Sequence, residues 1–134
     1  MPRAYKTKQL AFSMADELGL LTKITTALSD NGINLIGISA YSSAGEAEFF
    51  IITDNNKTAA AILQDLSIDT KEELITAVEM ANRPGELQNV AAKITDAGIN
   101  IDYMYATTSG QDVSLCYFKT PDEDKTIEVI NAPS

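Results

Sequence analysis

The sequence predicts an α+β fold of two tandem ferredoxin-like (βαββαβ) units, each an antiparallel sheet with its helices on one face. Two observations predict it. A stretch of helical periodicity runs directly into one of strand periodicity, and nearly the same stretch occurs twice in the chain. The chain has 134 residues, 45% of them hydrophobic, which suits one ordinary domain or two very small ones that share a core.

The segment Asn82–Ile101 predicts a turn, a helix and the start of a strand. Pro84 suits a first helical turn because its φ is preset and it has no N–H to leave unpaired. Gly98 predicts a left-handed stop after the helix, and alternation over Ile99–Ile101 is typical of a strand. The apolar residues at helical spacing between these points are Leu87, Val90, Ala91 and Ile94.

The segment Asp16–Leu35 repeats this pattern at an offset of about 66 residues, without a gap. Glycine and asparagine coincide where the backbone has special needs, so chance is a poor explanation. The coincident pairs are Met14/Met80, Ala15/Ala81, Gly19/Gly85, Leu21/Leu87, Asp30/Asp96, Gly32/Gly98, Ile33/Ile99, Asn34/Asn100 and Ala40/Ala106. We therefore predict one unit over residues 1–71 and a second over 72–134.

The elements follow from the same periodicities, taken in chain order. The first unit is expected to contain strands Gln9–Met14, Ile33–Tyr41 and Glu46–Thr53, helices Leu20–Asn31 and Thr58–Leu66, and a short strand Ser67–Lys71. The second is expected to contain strands Leu74–Met80, Ile99–Thr107 and Val113–Lys119, the helix of the repeated stretch, and a closing helix Asp124–Asn131. No strand pattern follows that helix, so the second unit is predicted to lack a clear final strand.

The third strand of each unit is apolar on both faces. Phe50 and Ile52 lie opposite Phe49 and Ile51, and the strand Val113–Lys119 repeats the pattern. A sheet with helices on one side only is expected to have a polar second face. The second face is therefore covered, either by the other unit or by another copy of the chain. We favour a second copy, and hence a homodimer, because pseudo-symmetric halves usually join edge to edge.

Charge and composition exclude several classes of function. The net charge of −9 repels polyanions, so nucleic acid and anionic membranes are poor partners, and no apolar run approaches membrane-spanning length. The basic N-terminus has no apolar stretch behind it, so we expect no secretory signal. The single cysteine, Cys116, rules out an internal disulfide and fits the cytoplasm.

The absence of histidine argues against an enzyme and against a metal site. No nucleophile–base pair and no spacing of metal ligands is visible, and the acidic run Asp122–Asp124 is interpreted as a solvated helix start. We therefore expect no catalytic residue, no metal ligand and no cofactor. Cys116 is interpreted as a small core residue, and Tyr103 and Tyr105 as sheet-packing residues.

The repeated turn is the candidate binding site. A helix N-terminus leaves backbone N–H groups unpaired, and Gly19 and Gly85 would let a ligand carboxylate approach them. Asn34 and Asn100, where the next strand starts, offer both a donor and an acceptor. Asp16 or Asn82 would accept from an ammonium group, and Arg83 would meet a carboxylate. The alternatives are that the glycines ease packing, the asparagines satisfy backbone groups and the arginine faces solvent.

These motifs resemble the ACT domain, a small regulatory module of amino-acid metabolism. The segments that carry the resemblance are Asn82–Leu87, Ala97–Ile101, Ala77–Met80 and Asp102–Ala106, and it extends over about residues 8–131, as in a stand-alone tandem ACT protein. Leu18 stands where the second unit has Pro84, so the first turn departs from the pattern.

The resemblance implies a regulatory protein that binds an amino acid at an interface between units, one giving the turn and the other the strand. Besides Asp16, Gly19, Asn34, Asn82, Arg83, Gly85 and Asn100, the implied site takes in Leu20, Leu21, Leu35, Glu86, Leu87 and Ile101. A ligand-free protein–protein interaction module is the alternative.

Overall fold

A computed structural model describes residues 2–133, and within that range it contains six strands and four helices. In chain order these are β1 Arg3–Ala15, α1 Leu20–Asp30, β2 Leu35–Ser43, β3 Glu46–Thr53, α2 Asn56–Asp65, β4 Lys71–Ala81, α3 Glu86–Asp96, β5 Tyr103–Thr107, β6 Val113–Lys119 and α4 Glu123–Asn131. The chain divides into two compact units, residues 8–73 and residues 2–7 with 74–133. Both units have the predicted ferredoxin-like fold: the elements of the first follow in the order βαββαβ, and in the second the strand of residues 2–7 completes the βαββα run from β4 to α4. The pairings β1·β3, β2·β3, β4·β6 and β5·β6 are antiparallel.

The first unit, residues 8–73, has the strand order β2-β3-β1-β4, in which β4 is represented by residues 71–73. Leu10 pairs with Ile51 and Phe12 with Phe49, so these side chains share one sheet face. Both helices cover that face, and the buried core residues they contribute are Leu20, Ile24, Leu28, Ala59 and Leu63. The helix spacing of i, i+4 and i+8 in α1 is what brings its three leucine and isoleucine side chains onto the sheet.

The second unit repeats this arrangement with the order β1-β4-β6-β5, in which β1 is represented by its first residues. Val78 pairs with Cys116 and Thr76 with Phe118, which sets the face that meets the helices. The buried core residues of this unit are Ala4, Val78, Met80, Val90, Ile94, Cys116, Phe118 and Ile130. The helices on this face are α3 and α4, as the sequence predicts.

The segment Arg3–Thr7 completes the second unit. Ala4 lies in that unit's core with 5% of its surface exposed. Its N–H donates to Oδ1 of Asn131 at 2.8 Å, and its carbonyl accepts from Nδ2 of the same residue at 2.9 Å. Residues 71–73 have the same position in the first unit, where Gln9 Nε2 donates to Glu73 Oε1 at 3.0 Å. The domain boundary at 71/72 stays a prediction, while residues 2–7 supply the strand that the sequence after α4 does not.

Several predicted elements have other bounds in the structure; β1, for example, begins at Arg3 and not at Gln9. The short strand Ser67–Lys71 is wrong apart from its last residue, because Ser67 has a left-handed φ of 60° and the N–H of Ile68 donates to the carbonyl of Leu63. These bonds close the end of α2 in place of a strand ladder. Similarly, β5 begins at Tyr103 and not at Ile99, since the N–H of Ile99 closes the end of α3 on Ile94.

The acidic run before α4 is not uniformly solvated. Asp122 caps the helix, but Glu123 is only 8% exposed. Its carboxylate accepts from the Thr120 hydroxyl at 2.6 Å, from the Thr120 N–H at 3.2 Å and from the Thr76 hydroxyl at 3.1 Å. The expectation of a solvated helix start is therefore wrong for this residue, which joins α4 to β4 by buried hydrogen bonds.

The sheet face away from the helices carries aromatic side chains. The rings of Tyr105 and Tyr117 lie 5.1 Å apart in the second unit, and Ile52 is 5% exposed in the first. Tyr103 and Tyr105 belong to this sheet, as expected of packing residues. The second copy that we expect to cover this face stays a prediction.

Replacing Tyr105 with phenylalanine is expected to raise the pH midpoint of alkaline unfolding. Burial, and then the nearby Tyr117 and Tyr103, raise the pKa of Tyr105 well above its ordinary value of 10.0. The neutral phenol therefore stabilises the fold fully below that value, and this contribution is lost as the pH rises toward the folded-state pKa. Circular dichroism from about pH 8 to 12 measures the midpoint. Tyr41→Phe, at an exposed tyrosine, is the matched control, and equal midpoints for both variants would contradict the prediction.

Candidate functional site

Two of the four described helices begin without a side-chain cap, and they are the two helices of the repeat. The N-cap residues of α1 and α3 are Gly19, with φ of 82°, and Gly85, with φ of 90°. By contrast, the side chain of Asn55 caps α2 and that of Asp122 caps α4, each accepting from a backbone N–H. The N–H groups of the first turn of α1 and α3 are therefore left without a side-chain acceptor from the N-cap.

Glycine is required at these two positions by the backbone. A left-handed φ strains any residue with a Cβ, and most of all a β-branched one. A Cβ built on either glycine meets no atom within 4 Å, so it is the dihedral angle and not crowding that selects glycine. The same choice removes the side-chain oxygen that usually caps a helix, which leaves the partial positive charge of the helix start open to another acceptor.

In the first unit the start of α1 opens onto a cleft of about 790 Å³, which we call the first cleft. Four of its lining residues are predicted site residues, namely Asp16, Gly19, Leu20 and Leu21. The others are Glu17, Leu18, Thr22, Ala40, Tyr41, Ser42, Ala47 and Phe49. The volume lies within the range of small-molecule sites in proteins, about 300–1,000 Å³.

The first cleft has a rigid floor and an apolar, solvent-facing rim. Phe49 is buried in the floor and its ring stacks on that of Phe12, with centroids 5.1 Å apart and an angle of 6° between the planes. Leu18 and Leu21 at the rim are 106% and 51% exposed. Exposed leucines beside a concave polar site are typical of a surface that meets a ligand or another protein.

The polar groups of the first cleft carry negative charge. The Ser42 hydroxyl donates to Oδ2 of Asp16 at 2.8 Å, which fixes the carboxylate at the cleft wall and leaves Oδ1 to accept from a ligand. Asp16 is also held through its N–H, which donates to the carbonyl of Gly45. Glu17 adds a second carboxylate, and no lysine or arginine lines this cleft.

In the second unit the corresponding cleft is smaller, about 220 Å³, and we call it the second cleft. Its lining includes the predicted residues Asn82, Arg83, Glu86 and Leu87, while Gly85 is adjacent as the N-cap of α3. The remaining lining residues are Met80, Ala81, Ala106, Thr107, Thr108, Ser114 and Cys116.

Three polar side chains of the second cleft already have hydrogen-bond partners within the chain. Nη2 of Arg83 donates to Oε1 of Glu86 at 2.8 Å, and the Asn82 amide donates to the carbonyl of Gln111 at 2.9 Å. The Arg83 side chain is 70% exposed and that of Glu86 only 17%. The carboxylate of Glu86 therefore lies within the first turn of α3, close to the positive end of that helix.

The strand-start residues do not line the cleft of their own unit. Asn34 and Asn100 follow the C-terminal ends of α1 and α3, and each helix of 11 residues is about 16 Å long. The N–H of Asn34 donates to Asp54 Oδ1 at 3.0 Å, and the Asn100 amide donates to Asp102 Oδ1 at 3.0 Å. Neither these asparagines nor Leu35 and Ile101 line the two clefts, so their place at a ligand stays a prediction.

Sequence reasoning missed several residues of the first cleft, notably Ser42 and Phe49. Ser42 reaches the site because the β2–β3 hairpin brings it level with Ala47, close to Asp16. Phe49 points into the cleft because it pairs with Ala40 and Phe12 on the helix face. Strand alternation predicts the face of Phe49, but the contact of Ser42 with Asp16 depends on the hairpin register.

Neither a reactive cysteine nor a metal site is found at these clefts among the described residues. Burial raises the pKa of the Cys116 thiol, and the residue is 2% exposed, which is the behaviour of a core cysteine. Among residues 2–133 no group of three or more Cys, Asp or Glu side chains could hold a metal ion. In the same range no helix is long and apolar enough to cross a membrane.

Residues 8–67 match the family model of the ACT domain. No curated protein sequence matches the chain significantly. Among solved structures, the chain is similar to protein BT0572 from Bacteroides thetaiotaomicron, with 26% identity and a TM-score of 0.87 over 95% of this chain and 88% of that one.

Two kinase-related structures are also similar. The ligand-free regulatory subunit of aspartate kinase from Thermus thermophilus has 16% identity and a TM-score of 0.67, over 92% of this chain and 89% of that one. E. coli aspartokinase III in complex with lysine and aspartate has 14% identity and a TM-score of 0.58, over 96% of this chain and 31% of that one. At these identities the likeness is one of fold.

Proposed function

We propose that this chain is a regulatory protein with an ACT unit in each half, and that it binds a free amino acid or a related metabolite at the repeated turn. The observation that carries the proposal is the first cleft, where an uncapped helix start lies beside the fixed carboxylate of Asp16. The ACT match over residues 8–67 covers the same unit.

The chemistry of the cleft suits the two charged groups that all free amino acids share. Backbone N–H groups at the start of α1 are a favourable place for the ligand's α-carboxylate, since the helix dipole adds to their hydrogen bonds. Oδ1 of Asp16 then accepts from the α-ammonium group, with Ser42 holding the carboxylate in place. The side chain of the ligand lies toward Phe49 and Leu21, which are apolar.

A second copy of the chain completes the site in this proposal. Leu18, Leu21 and Tyr41 at the rim are exposed, and covering them would exclude water from the ligand. The strand-start residues that the ACT resemblance assigns to the ligand are Asn34, Leu35, Asn100 and Ile101, and here they come from the second copy. Ligand binding then favours the dimer. If a further partner binds the dimer and the monomer with different affinities, the ligand changes the affinity for that partner.

The role is regulatory and not catalytic. The chain has no histidine, and the Ser42 hydroxyl of the first cleft has only the Asp16 carboxylate beside it as a base. The similar structures include a regulatory subunit of aspartate kinase, and an aspartokinase that binds lysine and aspartate. We place the protein in the cytoplasm, where free amino acids are sensed. The competing proposal is a docking module that binds another protein and no ligand. The exposed rim residues Leu18 and Leu21 would also suit that role.

Thermal unfolding in the presence of each common amino acid tests the proposal. At least one is expected to raise the melting temperature, with a stabilisation of about 2.7 kcal/mol at a concentration 100 times its dissociation constant. Replacing Asp16 with alanine removes a charged acceptor, which is expected to weaken binding by about 10- to 100-fold.

Asp30→Ala, at an exposed carboxylate at the other end of α1, is the matched control and should leave binding unchanged. No shift with any amino acid at millimolar concentration would reject the sensor and favour the docking module. Sedimentation velocity with and without the amino acid that binds then measures whether dimer formation is linked to binding.

A further inference from the structure

We infer that the two turns are not equivalent: the first cleft binds the ligand and selects against acidic amino acids, whereas the internal ion pair Arg83–Glu86 closes the second cleft. This inference rests on the proposed function, because it assigns the occupied site and the charge of its ligand. It predicts one ligand per chain, although the turn is present twice.

The two clefts differ in charge at equivalent positions of the repeat. The offset that aligns Gly19 with Gly85 aligns Glu17 with Arg83 and Leu20 with Glu86. The first cleft therefore has two carboxylates and no cation, and the second has one carboxylate and one cation that neutralise each other. This difference in charge lies at the N-terminus of each helix, where the charged groups of a ligand would bind.

Glu86 already places a carboxylate at the start of α3. It lies in the first turn of α3, with its side chain 17% exposed and its Oε1 2.8 Å from Nη2 of Arg83. The positive end of α3 thus already has an anion beside it. The first turn of α1 contains no acidic residue, and Leu20 fills the position of Glu86 with a buried apolar side chain.

The carboxylates of the first cleft determine which ligands it accepts. A ligand with a negative side chain would bring that charge close to Asp16 and Glu17, with no lysine or arginine in the lining to offset it. Like charges a few ångström apart repel each other, and more strongly near a protein surface than in bulk water. Such repulsion reduces affinity by about tenfold or more, so the cleft prefers neutral and cationic amino acids.

Isothermal titration with isosteric pairs measures this selectivity on the intact chain. Glutamine is compared with glutamate and asparagine with aspartate, because each pair differs in charge and hardly in size. We expect the amide of each pair to bind at least about tenfold more tightly than the acid, and lysine to bind no more weakly than norleucine. Saturation is expected at one ligand per chain.

Two variants exchange the charges of the two clefts. Glu17→Arg gives the first cleft the charge of the second, and it is expected to reduce the preference for glutamine over glutamate to about threefold or less. Arg83→Glu combined with Glu86→Leu removes the ion pair and gives the second cleft the residues of the first at these two positions, with Asn82 in place of Asp16 as the acceptor. Saturation is expected to rise from one to two ligands per chain. If the double variant does not fold, Glu86→Gln is used in its place. It removes the ion pair with Arg83 but keeps the size of the side chain, and saturation is again expected to rise from one to two ligands per chain.

The outcomes separate this inference from the proposed function. Tighter binding of glutamate or aspartate than of their amides would overturn the selectivity. Saturation at two ligands in the unaltered chain, or loss of binding on Asn82→Ala but not on Asp16→Ala, would overturn the assignment to the first cleft. Each of these three results would still show that the chain binds an amino acid. If no amino acid binds, the proposed function itself fails.

Discussion

Ala4→Asp is expected to destabilise the second unit by about 3–5 kcal/mol and to separate its unfolding from that of the first. Ala4 is 5% exposed and lies in the apolar core that contains Val78 and Met80. A carboxylate placed there loses its hydration without gaining a partner. It would also push Asn131 away from the two backbone groups that it binds.

Hydrogen exchange followed by mass spectrometry measures the effect unit by unit. Protection is expected to fall in α4 and β4 of the variant and to remain in α1 and α2. Arg3→Ala is the matched control from the same strand, since its ion pair with Glu79 is exposed and such pairs contribute about 0–1 kcal/mol. Equal loss of protection in both units would show that Arg3–Thr7 is not specific to the second.

Gly19→Val is expected to abolish detectable amino-acid binding, with a loss of stability of about 1–2 kcal/mol or more. The φ of 82° at Gly19 lies in the left-handed region, which valine adopts only with strain. Relief of that strain rotates the backbone at the helix start and turns its N–H groups away from the first cleft. The stability cost arises from the dihedral angle, because a Cβ at this position meets no atom within 4 Å.

Gly32→Val separates strain from binding. Gly32 has a φ of 71° at the other end of α1 and is equally uncrowded, so its substitution costs similar stability. Titration with the amino acid that gives the largest thermal shift is expected to show normal affinity in this variant. A second comparison is Gly19→Asn, because asparagine tolerates left-handed backbone better than valine. If Gly32→Val loses binding as fully as Gly19→Val, the defect is general destabilisation.

Much of the fold was predictable because local chemistry repeats along the chain. Gly32 and Gly98 both have left-handed φ and end helices at the positions that the sequence indicates. The helices α1 and α3 have equal length, and β3 and β6 have the predicted bounds. Glycine stops and alternating apolar residues act over a few residues, so they can be read without knowledge of distant partners.

Other features depend on partners far along the chain. Arg3–Thr7 has little apolar alternation of its own. It is held by its place beside β4 in the sheet and by Asn131, which is 127 residues away from Ala4 in the sequence. The contact between Ser42 and Asp16 depends in the same way on the register of the β2–β3 hairpin.

For the candidate site, the turn and its glycines were predictable, whereas the contrast between the two clefts was not. Arg83 and Glu86 stand three residues apart at a helix start, a spacing that permits an ion pair and equally permits both side chains to bind a ligand. Only the coordinates show the guanidinium on the carboxylate. Similarly, the sequence gives Asp16 but not the Ser42 hydroxyl that holds it.

The strand β1 has a consequence for synthesis of the protein on the ribosome. The Asn131 side chain that binds Ala4 is synthesised 127 residues after it. The nascent chain can close its first unit once residue 73 has left the exit tunnel. Residues 2–7, in contrast, can join the second unit only after residues 74–133 have been synthesised. Completion of the second unit therefore depends on a contact between two segments that are synthesised far apart in time.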